Sequence, residues 1–308
     1  MRPDLEDDRL VVRHDGIGVL EYVFRPTQPQ LESPRPYALL RTVGGESVTG
    51  FRPDDHVWHK GLSLALPNVG PHNFWGGPTY VAGEGYVQLP NNGAQVHRGF
   101  AAPAASTAGD AVRIDEDLEW ISEAGAPVLT ERRTLTARPV TDDAWALTWR
   151  SVLRNSSPGP LAFGSPTSNG RPDAGYAGIF WRGPAAYTGG DIIGPQGDAG
   201  DAARGLPSPW LAFVSPDRTA GVLMLDAGES PGPWFARSAE YAGLCPAPFF
   251  FDETVVDAGE RLVLAAALVI GTADVAAHAP ETGAALVAEL RASGDPASAG
   301  APENGDRS

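Results

Sequence analysis

The sequence is short of cysteine, lysine and positive charge, and each shortage excludes a class of function. Its single cysteine, Cys245, excludes a disulfide within the chain and a cysteine-rich zinc site. The apolar neighbours of that residue in GLCPAPFFF favour a buried, inert thiol over a nucleophile. Lys60 is the only lysine, and Lys and Arg together number 23 against 38 Asp and Glu, for a net charge of −15. Such a surface repels phosphate groups, so we expect neither nucleic acid nor a membrane as a partner.

The sequence also lacks an apolar run that is long enough to cross a membrane. The longest, LVLAAALVI at residues 262–270, falls well short of the roughly 20 residues that a membrane helix needs. The N-terminal MRPDLEDDRL lacks the apolar segment of a secretory signal. We therefore expect a cytoplasmic protein.

Glycine and proline are abundant, at 37 and 29 residues, and favour many turns and few long helices. Most segments alternate polar and apolar residues as half-buried strands do, and Asp15-Gly16 is typical of a hairpin turn. Only residues 280–293, with Leu286, Val287 and Leu290 at helical spacing, look helical. The sequence predicts an all-β protein: a large antiparallel β-sandwich with few short helices. We expect a single domain over residues 1–293 and a disordered tail at 294–308.

Four of the six histidines, His56, His59, His72 and His97, lie within 42 residues. Histidine is the side chain best suited to proton transfer near neutral pH. RPDDH resembles a turn, which would let His56 and His59 converge although they are three residues apart. Three interpretations stay open: histidines that cap a loop, a divalent metal site formed by His56, His59 and His72, and metal-free acid/base catalysis. No cofactor is predicted, because the spacing matches no compact ligand motif.

Aromatic and polar residues share two long, glycine-rich loops and favour a sugar-like ligand. Aromatic faces stack on the apolar faces of sugar rings, while amides, carboxylates and arginine forks bind the hydroxyl groups. Loops of this kind in a compact β-domain are usually functional. The candidate substrate-binding residues are Asn73, Trp75, Gln88, His97 and Arg98 in the first loop and Asn169, Arg171, Asp173, Trp181 and Arg182 in the second.

Glu131 is a further candidate, because it lies in the middle of an alternating run, LTERRTLTA. Leu129, Glu131 and Arg133 share one face of the predicted strand. A carboxylate that faces the core would have a raised pKa suited to a general base, unless an arginine pairs with it. Pairing with an arginine, or exposure to water, is the alternative.

The stretch from RPYALLRTVGG to HNFWGG resembles a family of bacterial proteins of unknown function (DUF6807), many of which carry the label "methane oxygenase PmoA-like". The resemblance covers most of residues 10–290, and Glu131-Arg132 and GYAGIFWRG match later blocks of the family. One departure is Trp58, which stands where many members have a further histidine next to His59. The residues that carry the central pattern are Arg35, Pro36, Tyr37, Thr49, Asp55, His56, His59, Lys60, Gly61, Leu62, Asn73, Phe74, Trp75 and Gly76.

The resemblance implies a β-rich fold similar to the galactose-mutarotase-like supersandwich and a carbohydrate substrate. It does not imply a membrane methane monooxygenase subunit, which crosses the bilayer with many helices. We therefore expect a carbohydrate-active enzyme that uses His56, His59 and Glu131 for acid/base chemistry on a sugar or oxidised sugar. Epimerisation and eliminative or hydrolytic cleavage are all open. The alternatives are a non-catalytic sugar-binding protein and a histidine-coordinated metalloenzyme, and the sequence leaves a homo-oligomer open.

Overall fold

Antiparallel strands form nearly all of the regular structure in the computed structural model, which describes residues 1–293. The segment 294–308, for which a disordered tail is predicted, lies outside the described residues. Short 3-10 or π turns span Gln30–Glu32, Ala185–Tyr187, Gly200–Ala203, Val275–His278 and Ala279–Gly283. The strands and the α-helix are β1 (Arg2–Leu5), β2 (Arg9–His14), β3 (Ile17–Val23), β4 (Tyr37–Leu40), β5 (Leu62–Ala65), β6 (Asn68–Val69), β7 (Thr79–Val81), β8 (Gly85–Val87), β9 (Ala94–Phe100), β10 (Ser106–Ala108), β11 (Ala111–Ile121), β12 (Pro127–Thr141), β13 (Ala144–Asn155), β14 (Leu161–Gly164), β15 (Gly178–Arg182), β16 (Asp191–Gly194), β17 (Gly197–Asp198), β18 (Trp210–Val214), β19 (Gly221–Asp226), β20 (Trp234–Arg237), β21 (Gly243–Pro246), β22 (Thr254–Val256), β23 (Arg261–Gly271) and α1 (Ala284–Ala292).

Two large sheets form the sandwich. The smaller has eight strands in the order β1-β2-β3-β4-β5-β15-β21-β20, and the larger has ten, β10-β11-β12-β13-β23-β19-β18-β16-β17 with β9 paired to β11. Neighbouring strands run antiparallel in both sheets. The prediction of an all-β antiparallel sandwich is therefore confirmed, while its description as a single domain stays a prediction.

Local sequence explains the hairpins that build these sheets. Asp15 and Gly16, between β2 and β3, have φ angles of 48° and 86°. A two-residue hairpin turn of this kind needs positive φ at both positions, which Asp-Gly adopts at low cost. The segment EAGAP, residues 123–127, likewise forms the turn that joins β11 to β12, two long strands of the larger sheet.

Alternation along each strand decides which side chains fill the sandwich. On β13, Trp145, Leu147 and Trp149 point into the core between the sheets, as their spacing predicts. The intervening Ala144 and Ala146 lie on the opposite face, where the C-terminal helix packs. One sheet-sheet core thus contains five fully buried tryptophans, Trp120, Trp145, Trp149, Trp181 and Trp234.

The outer faces of the two sheets are covered differently. Helix α1 lies on the outer face of the larger sheet and buries Leu286 and Leu290 against Leu223, Leu225 and Val269. The helix predicted at 280–293 is therefore confirmed, with a π turn as its first part. The outer face of the smaller sheet is covered by loops instead, and the candidate site lies there.

Candidate functional site

A small apolar layer on the outer face of the smaller sheet forms the floor of the site. Strand alternation places Phe180 on β15, Phe235 on β20 and Cys245 on β21 on this face, where they pack together. Burial raises the pKa of the Cys245 thiol well above its ordinary value, and this agrees with the prediction of an inert cysteine. Arg182 and Arg237 have the same orientation at the ends of β15 and β20. Their guanidinium groups therefore stand beside the aromatic floor.

The loop between Phe51 and Gly61 brings His56 and His59 together. Its ends are tied by an antiparallel bridge between Phe51 and Lys60. Two successive turns follow, since the His56 amide donates to the Pro53 carbonyl and the His59 amide donates to the His56 carbonyl, at 3.0 and 2.9 Å. Residues three apart in such tight turns lie above one another. The two imidazole rings consequently stack, with centroids 4.6 Å apart and planes within 7° of parallel, so the predicted convergence is confirmed.

The segment HNFWGG places a second aromatic wall beside the histidines. The side-chain oxygen of Asn73 accepts hydrogen bonds from the amides of Trp75 and Gly76, at 2.8 and 3.0 Å. Asn73 is buried and holds this turn, so its predicted role in binding hydroxyl groups is corrected to a structural one. The turn directs the Trp75 indole against Tyr176, at a centroid distance of 4.4 Å, and edge-on to His59, at 5.6 Å.

The Trp58 side chain lies so close to this turn that Gly76 and Gly77 leave no room for a larger residue. Gly76 and Gly77 have φ angles of 101° and 67°. A Cβ atom on Gly76 would lie 2.7 Å from the Trp58 Cβ and from the Glu32 carbonyl oxygen. Only glycine combines this backbone conformation with so close an approach.

A buried group of charges beneath the site fastens the two loops to each other. Arg35 is fully buried and donates to the carbonyls of Trp75 and Trp58, at 2.9 and 2.8 Å. The nearby Glu32 carboxylate accepts hydrogen bonds from Lys60 and Arg52, each at 2.7 Å. Burial opposes ionisation of Glu32, but these hydrogen bonds outweigh it and keep its pKa below the ordinary value. Lys60 has no exposed surface, so it acts from below the loop rather than on a ligand.

Arg182 connects the two histidines through Asp55. Its guanidinium donates to both oxygens of the Asp55 carboxylate and to Nδ1 of His59, all at 3.1 Å. Asp55 in turn lies 2.9 Å from Nδ1 of His56. Burial opposes ionisation of Asp55, but the hydrogen bonds from His56 and Arg182 outweigh it, and its pKa is lowered. Tyr241 completes the group, because the Arg182 guanidinium lies 4.0 Å from the centre of its ring.

These contacts fix the protonation of the two imidazoles. A guanidinium can only donate, so Nδ1 of His59 accepts and the proton of the neutral ring is on Nε2. Burial, with contributions from His56 and Arg182, holds the pKa of His59 well below its ordinary value, and the ring is neutral near pH 7. The Asp55 carboxylate can only accept, so the neutral ring of His56 carries its proton on Nδ1 and leaves Nε2 with a lone pair. The stacked pair therefore offers one acceptor and one donor.

The cavity above the histidines has a volume of about 320 Å³, which lies within the usual size of small-molecule sites. Aromatic side chains form most of its wall, and two arginines and one carboxylate reach it from the sides. Burial raises the pKa of Tyr241 to about 12, so its hydroxyl stays protonated and can donate. The lining residues are His56, Trp58, His59, Trp75, Gly76, Pro78, Tyr86, Arg171, Tyr176, Phe235, Arg237, Glu240 and Tyr241.

Of the residues predicted from the sequence, His56, His59, Trp75 and Arg171 line the cavity, and Arg182 lies directly behind His59. The sequence reasoning missed Phe235, Arg237, Glu240 and Tyr241. Alternation in WFAR was a usable signal, because Phe235 and Arg237 leave the core where Trp234 and Ala236 enter it. Nothing local in the sequence shows that this strand lies two positions from β15 in the sheet.

Glu131 is not at the cavity, and its predicted catalytic role is corrected. Its side chain has no exposed surface and pairs with Arg133 at 2.7 Å in the core of the sandwich. It also accepts hydrogen bonds from the Trp120 indole and the Ser151 hydroxyl, at 2.7 and 2.5 Å. Pairing with an arginine was the alternative interpretation, and it is the arrangement found.

His97 and Arg98 are also displaced from the cavity. They lie on β9 of the larger sheet, where Nδ1 of His97 is 2.6 Å from the buried Glu116 carboxylate. Arg98 pairs with Glu119 on the exposed face of the same sheet. The sequence places both close to HNFWGG, but β7 and β8 form a separate two-stranded sheet, and the chain then enters the larger sheet at β9.

The predicted stacking of Trp181 on a ligand is corrected, because side chains alternate between the two faces of β15. Phe180 and Arg182 face the loops, so Trp181 between them points into the sheet-sheet core and is fully buried. Its indole N–H donates to the Val48 carbonyl at 3.0 Å. Gln88, Asn169 and Asp173 are not among the cavity-lining residues; Gln88, for example, donates to the Asn92 side chain at 2.6 Å.

The three-histidine metal site is not formed. His72 belongs to a turn against Val69 and contacts Phe74, which points into the main core and packs on Trp120. Within residues 1–293, no three His, Cys, Asp or Glu side chains come together in a way that could hold a metal ion. No helix in the same range is long and apolar enough to cross a membrane.

Comparisons with solved structures give likenesses of fold alone. The crystal structure of a beta-arabinopyranosidase is 10% identical with a TM-score of 0.38; the match covers 83% of this chain but only 38% of that one. A GalM/aldose epimerase homologue from C. elegans is 9% identical with a TM-score of 0.34, and the match covers 82% of this chain and 95% of that one. At these values neither likeness carries an argument about activity. Among curated proteins, no match was found.

The family comparison covers nearly the whole of the described chain. A family model described as "Family of unknown function (DUF6807)" matches residues 9–284. Its description has no link to a methane oxygenase. The matched range includes every strand of both sheets except β1, the histidine loop and every residue that lines the cavity. The chain therefore belongs to this family of unknown function, DUF6807.

Proposed function

We propose that the cavity is the active site of a carbohydrate-active enzyme that transfers protons at a sugar or an oxidised sugar. The observation that carries this proposal is the pair of hydrogen bonds that gives the stacked histidines opposite roles. Asp55 accepts from His56, and Arg182 donates to His59. In the neutral state, one ring can take a proton while its neighbour donates one.

His56 is proposed as the general base. Its Nε2 has a lone pair because the Asp55 carboxylate takes the Nδ1 proton. Arg182 holds that carboxylate with two hydrogen bonds, so the imidazole is fixed in tautomer and orientation. The same device, a carboxylate behind an imidazole, supports base catalysis in enzymes of unrelated fold. The His56 side chain is 37% exposed, so a ligand in the cavity can reach it.

His59 is proposed to polarise a substrate oxygen. Because its pKa is well below the ordinary value, it stays neutral and keeps the Nε2 proton. A fixed donor aimed at an oxygen that gains negative charge lowers the barrier of a proton abstraction. Tyr241, whose ring centroid lies 5.6 Å from that of His59, supplies a second protonated donor in the same wall.

The aromatic lining supports a sugar as the ligand. Trp58, Trp75, Tyr176 and Tyr241 offer ring faces and edges around a cavity that also holds charged groups. Apolar faces beside a few fixed polar groups are what a pyranose ring needs for binding. The stacking role predicted for Trp75 is kept in this proposal.

The reaction would begin with removal of a C–H proton next to a carbonyl group. The His56 Nε2 takes the proton, and the electron pair moves onto the carbonyl oxygen, which His59 stabilises. Return of a proton from water to the opposite face gives epimerisation, while departure of a group with its bonding electron pair from the neighbouring carbon gives elimination. Hydrolysis by two facing carboxylates has less support, because Glu240 is the only carboxylate among the described residues that line the cavity.

Exchange of substrate hydrogen for deuterium tests this proposal directly. The purified protein would be incubated in D₂O with a panel of keto-sugars and carbonyl-bearing glycosides, and exchange followed by proton NMR against enzyme-free blanks. His56→Gln and His59→Gln should each lower exchange by about 10²-fold or more. The matched control is His14→Gln, since His14 lies on β2 and does not line the cavity.

The outcomes separate catalysis from binding. Full exchange by both cavity variants would show that the histidines are not the acid/base groups. Saturable binding of sugars, with neither exchange nor product from any of them, would favour a non-catalytic sugar-binding protein on the same scaffold.

A further inference from the structure

The wall of the cavity also contains an arginine that is incompletely paired. Arg237 lies at the end of β20, with only 14% of its side chain exposed. Its guanidinium stands beside the rings of Phe235 and Tyr241, 5.5 and 5.6 Å from their centres. These contacts hold a permanent positive charge at the edge of an aromatic cavity.

The Nε–H of Arg237 is buried and has no hydrogen-bond partner. A buried donor without a partner is costly, and most such groups are satisfied in folded proteins. Arg182 has the same unpaired atom, but its fork is used by Asp55 and His59, and it is not among the residues that line the cavity. Arg237 is therefore a cavity-lining arginine whose guanidinium includes a buried donor without a partner.

Glu240 is the only described side chain that forms a salt bridge with Arg237, and it does so from solvent. The carboxylate contacts one terminal nitrogen of the guanidinium, while 69% of the Glu240 side chain is exposed. An ion pair with so exposed a partner contributes little. A carboxylate on a ligand could replace Glu240 and use the neighbouring nitrogens of the fork as well.

A second arginine reinforces the positive charge. Arg171 lines the same cavity, donates to the hydroxyl of Tyr86, and lies 4.7 Å from the centre of the Tyr86 ring. Two arginines at one small cavity contrast with the net charge of −15 for the whole chain. His59, which also lines the cavity, is uncharged in the arrangement described above. The local field therefore attracts an anion that the rest of the surface repels.

From these observations we infer that the ligand is an acidic sugar, and that Arg237 binds its carboxylate with Arg171 beside it. A planar carboxylate matches the arginine fork with two parallel hydrogen bonds. A phosphate group needs more donors and is usually held at a helix N-terminus or by backbone amides; the α-helix of residues 1–293 lies on the other sheet. The inference rests on the proposed function, since it names the class of sugar that this site would take.

Binding of matched acidic and neutral sugars tests the inference. Titration calorimetry would compare methyl glucuronoside and methyl galacturonoside with their neutral methyl glycosides and with the corresponding uronamides, using the intact chain. The acidic members should bind about tenfold or more tightly than the neutral ones, because a charged hydrogen-bond pair contributes at least that much. Arg237→Gln should remove this preference, whereas Arg98→Gln, on the exposed face of the larger sheet, should keep it.

Glu240→Gln is a second variant, and it changes an exposed side chain, where a substitution has little effect on folding. It removes the competing carboxylate and should tighten binding of the acidic sugars by several-fold relative to the neutral sugars. Weaker binding of the acid in this variant, or no change, would contradict the role given to Arg237. The prediction for Glu240→Gln holds even if Arg237→Gln fails to fold.

Other outcomes would refute the acidic-sugar inference without refuting the proposed acid/base function. Equal binding of acidic and neutral sugars refutes the acidic class, and the exchange assay on neutral keto-sugars still tests the acid/base proposal. A further outcome is that the protein binds sugar phosphates more tightly than sugar acids and loses that preference in Arg237→Gln. That result would show that Arg237 binds a phosphate, and it would refute the assignment of a carboxylate. No measurable binding of any acidic sugar refutes it as well.

Discussion

Replacement of Glu131 by glutamine separates a structural role from the catalytic one that the sequence predicts. The carboxylate has no exposed surface and accepts hydrogen bonds from Arg133, Trp120 and Ser151. Gln keeps the shape but replaces one oxygen by an NH₂ group, which then faces donors. It also leaves the Arg133 guanidinium buried without its nearest counter-charge.

The expected loss is large because both partners are fully buried. Removing one partner of a buried ion pair costs about 3–5 kcal/mol of unfolding free energy. Arg133 keeps hydrogen bonds to Tyr22 and Gln95, each at 3.0 Å, and these make the lower end of that range the better expectation. Since domains are stabilised by only about 5–15 kcal/mol in total, the variant should be measurably less stable but still folded.

Urea unfolding followed by tryptophan fluorescence measures this loss. The midpoint should fall without a large change in slope, because the surface exposed on unfolding is unchanged. Glu119→Gln is the matched control on the neighbouring strand β11, since its pair with Arg98 is exposed, and it should change stability by less than about 0.5 kcal/mol. A loss below about 1 kcal/mol for Glu131→Gln would refute the buried-pair reasoning. In the absence of urea, folded Glu131→Gln should exchange substrate hydrogen for deuterium as fast as the unchanged protein. A loss of this exchange in the folded variant would support a catalytic role for Glu131.

Three further predictions concern the cavity. Asp55→Asn should lower deuterium exchange by about 10²–10⁴-fold, because it no longer fixes the tautomer of His56, while the exposed neighbour Asp54→Asn should not. The pKa of His59 is lower in the folded than in the unfolded chain, so stability should fall as pH falls below about 6.5, by up to about 1.4 kcal/mol per pH unit. In His59→Gln that part of the slope should vanish, and equal slopes in urea titrations would contradict the burial argument. Gly76→Ala should lower the free energy of unfolding by more than about 1 kcal/mol, because the new Cβ atom meets Trp58. Gly83→Ala is the control, since Gly83 also has a positive φ but open space around it, so this variant measures the backbone effect alone. Equal losses in the two variants would rule out the clash.

Much of the fold could be predicted because it is encoded in local pattern. Asp15-Gly16 marks its own turn, and the alternation of Trp145, Leu147 and Trp149 identifies one face of β13 without knowledge of its neighbours. The same alternation limits what could be known of the site. It shows that Trp181 and Phe180 face opposite sides, but which side is the core depends on how β15 pairs with β5 and β21.

The site was predicted where it lies within one loop and missed where it depends on distant strands. His56 and His59 converge through two consecutive tight turns, so RPDDH and its spacing were sufficient. Arg237 and Tyr241 come from a segment more than 170 residues further along the chain and reach the cavity only because β20 and β21 follow β15 in the sheet. Glu131 shows the converse, since its position mid-strand was right and its partner, Arg133 on the same face, decided its role.

The different covers of the two sheets explain why the cavity forms where it does. The outer face of the larger sheet presents alanine and leucine on β13, β19 and β23, and a helix can pack closely on such a surface. The outer face of the smaller sheet presents Phe180, Phe235 and Arg182, so aromatic rings stand beside a charged group there. Glycine-rich loops cover it instead, and they are held by buried polar contacts from Arg35 and Asn73 rather than by close apolar packing. The sheet forms a rigid base, and the loops above it are held in place by these polar contacts. The space between the sheet and the loops is the cavity, and a preformed ligand site requires such an arrangement.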